Sequence, residues 1–439
     1  MATQECKSFP EPKNLKEILE LFEKLNGSST AKKNVGQKLL KDVRKYCKET
    51  TKFYQSGSHS EVLWNVFSGA KSIRSTILKN SGTYPKYNDL ESSHGKHEDC
   101  IAEALKKCLP KAFAALYFLY FMGSEDMSTL QGGDWSNQSC NGSGGSKNIF
   151  YNWLIDDSLA VTMEGLVKRG FYDVKSNLQS NRGSMIVSYM KMLVTHENPN
   201  GTSAGALQKA LCYMLFVSPW DHSLLGHAIL FLDKFCSKVN DDSVNAFRGA
   251  FEEKYSGKTY DSFKTECKTL KSDLDPFING SSGLSAVCHD NTNLFDTLWD
   301  NDKFLQYCTW LKRNLHHIIE ALEKMSGESK TWNLSTIPHG SSAGPFKYGF
   351  VFKDIWGDSG YMSTLQEYIS KLIDSDSGSL ENFKSFLFNP STPSSAGATA
   401  AGAAGGIFGI GGAGAGAAYG LNLFGFKNLV TGLISSFLK

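Results

Sequence analysis

Between Lys384 and Lys427 the chain has no charged side chain, and from Ala396 to Gly420 it has little besides Ala and Gly. That absence excludes an ordinary solvated surface helix, which would carry charge on one face. None of the ten cysteines forms a Cys-x-x-Cys, which argues against a zinc ribbon and against thioredoxin-like redox chemistry. No apolar core follows Met1, where a cleavable secretory signal would carry one, so the export route is left open. Basic runs interleaved with aromatics are missing and the formal net charge is only +2, so nucleic acid is not an expected partner. Few runs alternate with period two, which disfavours an extensive sheet.

What is present is a long helical body and an unusual end. Of 439 residues, 41% are hydrophobic and 12% aromatic, enough for a sizeable core. The uncharged part of the stretch 396–439, up to Phe426, exceeds the ~20 residues a bilayer-spanning helix needs. Gly412, Gly416 and Gly420 recur every fourth residue, as do Gly405 and Gly409, giving a stripe on which a second helix could pack closely. Phe426, Leu429, Val430, Leu433, Ile434, Phe437 and Leu438 then keep helical spacing between Lys427 and Lys439. The stretch reads as a membrane anchor, with homo-oligomers possible through the glycine stripe. A spanning helix with both lysines on the cytoplasmic side fits the positive-inside rule. A lipid-anchor signal would use Ser394, Ser395 and Ala396, but the polar spacer it requires is absent.

Before the anchor, helical periodicity dominates. Asn14 and Glu17 form a capping box for a helix carrying Leu15, Ile18, Leu19 and Phe22, ended by the segment 26–29. Further helices are expected at 33–54, 61–78, 98–122 (interrupted at Pro110 and Lys111), 150–168 and 184–194. Segments 204–217 and 223–236, joined through Pro219, suggest an antiparallel helical hairpin at the centre of a bundle. Phe304, Cys308, Leu311, Leu315, Ile318 and Leu322 alternate steps of four and three, a packing seam. Ser363 and Gln366 would cap a last helix carrying Leu365, Tyr368, Ile369 and Leu372. The expected fold is all-α: an irregular multi-helix bundle ectodomain over 1–388, with a sub-boundary near 123–147, a Pro/Ser linker at 389–395, and the anchor at 396–439.

Catalytic patterns are weak. Gly201-x-Ser203-x-Gly205 and Gly340-x-Ser342-x-Gly344 match a nucleophile elbow, but neither stands between a buried strand and a helix. Ser203 fits better as a helix N-cap. The glycines Gly409, Gly411 and Gly414 match a dinucleotide fingerprint without the strand-helix-strand unit it needs. His94, His97 and Cys100 could supply three metal ligands without a fourth nearby. His227, among Leu225, Ile229 and Leu230, reads as a hydrogen-bonded core histidine. Asp374, Asp376 and Gly378 approach a calcium loop but lack its final Glu. No nucleophile, base and orienter assemble, so a non-enzymatic protein without cofactor or bound metal is expected.

Cys6, Cys47, Cys100, Cys108, Cys140, Cys212, Cys236, Cys267, Cys288 and Cys308 are even in number, which suits a disulfide framework of undetermined pairing. Buried thiols are the alternative. Sequons at Asn26, Asn137, Asn141, Asn200, Asn279 and Asn333 are compatible with an extracellular face.

Several segments resemble the secreted-antigen family of Babesia parasites, to which variant erythrocyte surface antigens are related. They are Pro10-Glu-Pro-Lys-Asn-Leu-Lys-Glu, Cys140-Asn-Gly-Ser-Gly, Pro276-Phe-Ile-Asn-Gly-Ser-Ser-Gly-Leu-Ser-Ala-Val-Cys, Gly344-Pro-Phe-Lys-Tyr-Gly-Phe-Val-Phe-Lys-Asp and Ala418-Tyr-Gly-Leu-Asn-Leu-Phe-Gly-Phe-Lys. The resemblance implies a non-enzymatic antigen, secreted or membrane-held on the parasite or infected red cell, serving immune evasion. Its expected partners are a membrane, antibodies and a host-cell receptor. Two further expectations stand beside it: an adhesin contacting host cells through loops 123–147 and 281–293, and a membrane-remodelling protein self-associating through its glycine stripe.

Overall fold

The structure is a computed structural model of the whole chain. It describes residues 9–48, 50–54, 61–77, 87, 97–124, 183–194, 205–241, 246–255, 257–278, 284–286, 294–296, 298–332, 345–352 and 361–388. The chain divides into two units, Met1–Pro393 and Ser394–Lys439, and every described residue belongs to the first. The described residues form twelve α-helices: α1 (Leu15–Gly27), α2 (Ser29–Val43), α3 (Val62–Ile77), α4 (Glu98–Ser124), α5 (Gly183–Val194), α6 (Ala206–Met214), α7 (Leu225–Asn240), α8 (Ala246–Lys254), α9 (Tyr260–Ile278), α10 (Phe304–Ser329), α11 (Tyr361–Ile373) and α12 (Ser379–Phe388).

The N-terminal helices form where capping and apolar spacing agree. Asn14 Oδ1 accepts the Glu17 amide at 3.0 Å, while the Glu17 carboxylate turns back to the Lys13 amide at 2.7 Å, one residue before the partner a strict capping box would use. Leu15, Ile18, Leu19, Phe22 and Leu25 are then buried, and α1 lies along α3 with Phe22 and Phe67 rings 5.6 Å apart. Within that contact Arg74 of α3 reaches Glu20 at 3.1 Å and Glu23 at 2.7 Å, all three side chains almost wholly buried. Ser28 ends α1 and caps α2, its Oγ accepting from Ala31 at 3.3 Å. Helix α2 stops at Val43, well short of the expected end near residue 54, and a single 3-10 turn (Thr50–Lys52) follows.

Helix α4 corrects another expectation. Pro110 lies inside it and does not interrupt it. Losing one backbone hydrogen bond and accommodating the ring costs about 3 kcal/mol. Leu105, Leu109, Phe113 and Leu116 are all buried on its inner face, and each such side chain contributes about 1.5–3 kcal/mol, so burial prevails. On the other side α4 is tied to α2 by Lys106, which bonds Asp42 at 2.7 Å and its own neighbour Glu103 at 2.8 Å, and by the Lys38–Asp99 pair.

The expected α6–α7 hairpin is also corrected. Helix α6 packs against α3, α4 and α5, whereas α7 packs along α9. The connection therefore joins two helical groups. Side chains of that region lock the groups together: Phe216 stacks on Tyr46 at 5.1 Å and meets Phe231 edge-on at 4.9 Å, and the Trp310 indole N–H donates to the Leu215 carbonyl at 3.2 Å. The Tyr307 hydroxyl likewise donates to the Tyr46 carbonyl at 2.6 Å, so α10 reaches both groups.

The seam on α10 is core throughout: Phe304, Cys308, Leu311, Leu315, Ile318 and Leu322 are all buried. Helix α11 begins at Tyr361, which puts Ser363 inside the helix and not at its cap. A short antiparallel ladder pairs β1 (Leu284–Ala286) with β2 (Phe350–Phe352), Ser285 opposite Val351, so part of the loop expected at 281–293 is strand. Gly349, at φ +75, turns the chain into β2; a Cβ there would lie 2.7 Å from the Ser223 carbonyl oxygen. Among the described residues the fold is thus helical with one minimal sheet. Among the described residues no helix is long and apolar enough to cross a membrane. The anchor residues Gly405, Gly409, Gly412, Gly416, Gly420 and Phe426 lie outside the described residues.

Candidate functional site

Helix α12, which the periodicity did not indicate, closes the helical body. Asp374 forms the turn before it, its Oδ1 accepting from the Asp376 and Ser377 amides at 3.0 Å each. Those amides hold the Asp374 carboxyl below the ordinary carboxylate range. The residues that resembled a calcium loop are therefore a helix-connecting turn. Leu380, Phe383 and Leu387 bury the inner face of α12 against α9 and α10. Phe386 lies 5.8 Å from Phe263 and 6.3 Å from Phe251.

Lysines gather over this helix end. Lys258 is only 8% exposed and its ammonium stands 4.1 Å from the centroid of Phe386. Lys312, exposed on α10, stands 5.4 Å over Phe388. One turn earlier on the same face, Thr309 accepts from Lys254 at 3.1 Å. Burial, followed by the Lys312 charge, lowers the pKa of Lys258, and Glu266 works weakly against both. Phe388 is the large hydrophobic side chain left exposed among the described residues, at 38%. The arrangement is a cationic and aromatic patch at the point where the body ends.

A second polar cluster joins the C-terminal turn of α10 to two 3-10 turns, His222–Leu224 and Pro345–Tyr348. Lys347 bonds Glu328 at 2.8 Å, Lys324 Nζ stands 3.4 Å from His222 Nε2, and the His222 and Tyr348 rings are 5.9 Å apart. Burial, reinforced by Lys324, lowers the His222 pKa, and burial with the nearby Glu328 raises that of Tyr348. His222 Nδ1, Glu328 Oε2, Tyr348 Oη and Trp332 Nε1 are buried without a hydrogen-bond partner. Chemically the cluster holds a neutral imidazole and a protonated phenol beside the Lys347–Glu328 ion pair.

His227 is the core histidine that its apolar neighbours suggested, but without the expected ring hydrogen bond. It is fully buried with its ring 5.3 Å from Phe113, edge to face, and neither ring nitrogen makes a hydrogen bond. Burial drives its pKa down to about 3, so it is neutral at pH 7. Gln208, equally buried, leaves both side-chain polar atoms unpaired.

The cysteines do not form the expected ten-member disulfide framework. Cys47, Cys108, Cys212, Cys236, Cys267 and Cys308 are buried thiols. Burial pushes Cys47 and Cys308 up to about 12, so neither is a thiolate at neutral pH. Cys100 alone of the described cysteines is disulfide-bonded, and this removes it as a metal ligand beside His97. Cys6, Cys140 and Cys288 lie outside the described residues, as do His94, Ser203 and Ser342. The N-cap of α6 is Gly205, with no side-chain capping bond, so Ser203 does not fill that position. Among the described residues no group of three or more His, Cys, Asp or Glu could hold a metal ion. The sequons Asn137, Asn141, Asn200, Asn279 and Asn333 lie outside them also; Asn26 sits in the last turn of α1.

No family model, curated protein or solved structure matches this chain.

Proposed function

We propose that this protein is a non-enzymatic, membrane-attached surface antigen: a helical body displayed outside the cell and held by the uncharged C-terminal stretch. The observation that carries the proposal is the absence of charge from 385 to 426, a run that begins in the last described helix, Ser379–Phe388. A polypeptide of that composition gains free energy by leaving water, whereas the body, with charge over its surface and one connected core, does not. The five segments that resemble Babesia secreted antigens support the antigen part of the reading, with antibodies as partners and immune evasion as the role.

Membrane fractionation with alkaline carbonate tests the attachment. The full chain is expected in the pellet and is released only by detergent, while a chain ending at Phe388 is recovered in the supernatant. Recovery of the full chain without detergent overturns the attachment. Antibodies against the body, applied to intact infected red cells, test the display; labelling only after permeabilisation overturns it.

A further inference from the structure

We propose that Lys258 and Lys312, together with Phe388, form a docking surface for anionic lipid headgroups, which seats the end of the helical body on the bilayer. The inference rests on the membrane attachment proposed above and specifies the lipid chemistry that the body itself meets.

Three observations converge. First, Lys258 and Lys312 come from different helical neighbourhoods, precede α9 and lie on α10 respectively, yet both stand over aromatic rings of the last turn of α12. Second, neither lysine makes an ion pair among the described residues, while the nearby Lys384 is paired with Glu381 at 3.0 Å. Lys254 makes no ion pair there either and donates instead to Thr309. Among the described residues these two ammonium groups have no paired carboxylate, the Lys312 charge acts on Lys258, and Glu266 is the acid that opposes it. Anionic headgroups complement that charge. Third, Phe388 is exposed at the place from which the chain continues into 38 further uncharged residues, 389–426. Lys312 is exposed and Lys258 retains 8% of its surface, and each holds its ammonium beside an aromatic ring, an arrangement that suits the headgroup level, where apolar and charged surroundings meet.

The test offers the full chain neutral phosphatidylcholine vesicles and vesicles containing phosphatidylserine, differing in density, in one tube. The uncharged stretch acts on both, so the ratio of protein on anionic to neutral vesicles isolates headgroup charge. A lysine near an anionic surface contributes ~1 kcal/mol, so Lys258→Gln with Lys312→Gln is expected to lower the ratio about 30-fold at low salt. Lys258→Arg with Lys312→Arg should preserve it, and raised salt should collapse it for the native chain. Circular dichroism of the Gln variant, unchanged in helical signal and melting midpoint, separates lost docking from lost folding. Equal distribution of the native chain overturns the docking surface while leaving membrane attachment intact, and so does a Gln variant with the native ratio. Association with neither vesicle overturns the attachment and the docking surface together.

Discussion

Burial of a neutral His227 should make this protein lose stability as pH falls below about 6.5. The ring is fully buried against Phe113 and near Gln208, without a hydrogen bond to either nitrogen, and its pKa is depressed to about 3. In the unfolded chain a histidine titrates near 6.5. The unfolded state therefore binds the extra proton first as pH falls, and stability rises with pH wherever that difference exists. The contribution is fully present above about pH 6.5 and is lost progressively between there and about pH 3. At pH 5 the unfolded state gains about 2 kcal/mol from that protonation while the folded ring stays neutral. Urea unfolding of the native chain and of His227→Leu, each at pH 7 and pH 5, reads this directly. Other groups titrate in both proteins, so the difference of differences belongs to His227. The native chain should lose about 2 kcal/mol more than the variant between the two pH values. A variant whose pH dependence matches the native chain would refute a neutral, solvent-excluded ring.

Arg74→Met should destabilise the fold by about 3–5 kcal/mol in urea melts, because it leaves the buried Glu20 and Glu23 carboxylates facing each other without their cation. Replacing Glu20 and Glu23 by Leu in the same chain should restore most of that loss. Iodoacetamide under native conditions should spare Cys47, Cys212, Cys236, Cys267 and Cys308, with all five modified in urea, as read by peptide mass spectrometry; native labelling at any of them contradicts their burial. Two glycines should respond in opposite directions. Gly205→Ala drives a Cβ into the Leu193 backbone and should cost about 1–3 kcal/mol, whereas Gly249→Ala, in open space inside α8, should stabilise by about 0.5–1 kcal/mol. Thermal melts distinguish them.

The elements that were legible in the sequence are those whose signal is local. Asn14 and Glu17 announced the start of α1, and the 304–322 seam announced a buried face of α10, because caps and 3.6-residue periodicity are properties of contiguous residues. Helix ends were less legible. The continuation of α4 through Pro110 depends on how much apolar surface its neighbours bury, and α2 stops at Val43 although its sequence pattern continues. The candidate patch was not visible either, since Lys258, Lys312 and Phe388 belong to three elements separated by tens of residues. One signal was available: 386 and 388 are aromatics just after the last charge of the body, Lys384.

The sequence by itself determined the helical class, the large aromatic core and the boundary between a charged body and an uncharged end, because hydrophobic periodicity and charge content are written residue by residue. Tertiary structure decided where the buried polar groups stand. It placed Arg74 between two glutamates, left His227 without a hydrogen bond, split α6 from α7 and buried six cysteines as thiols. Each of these depends on which distant helix supplies the neighbour, and that follows from the packing of all the apolar faces at once.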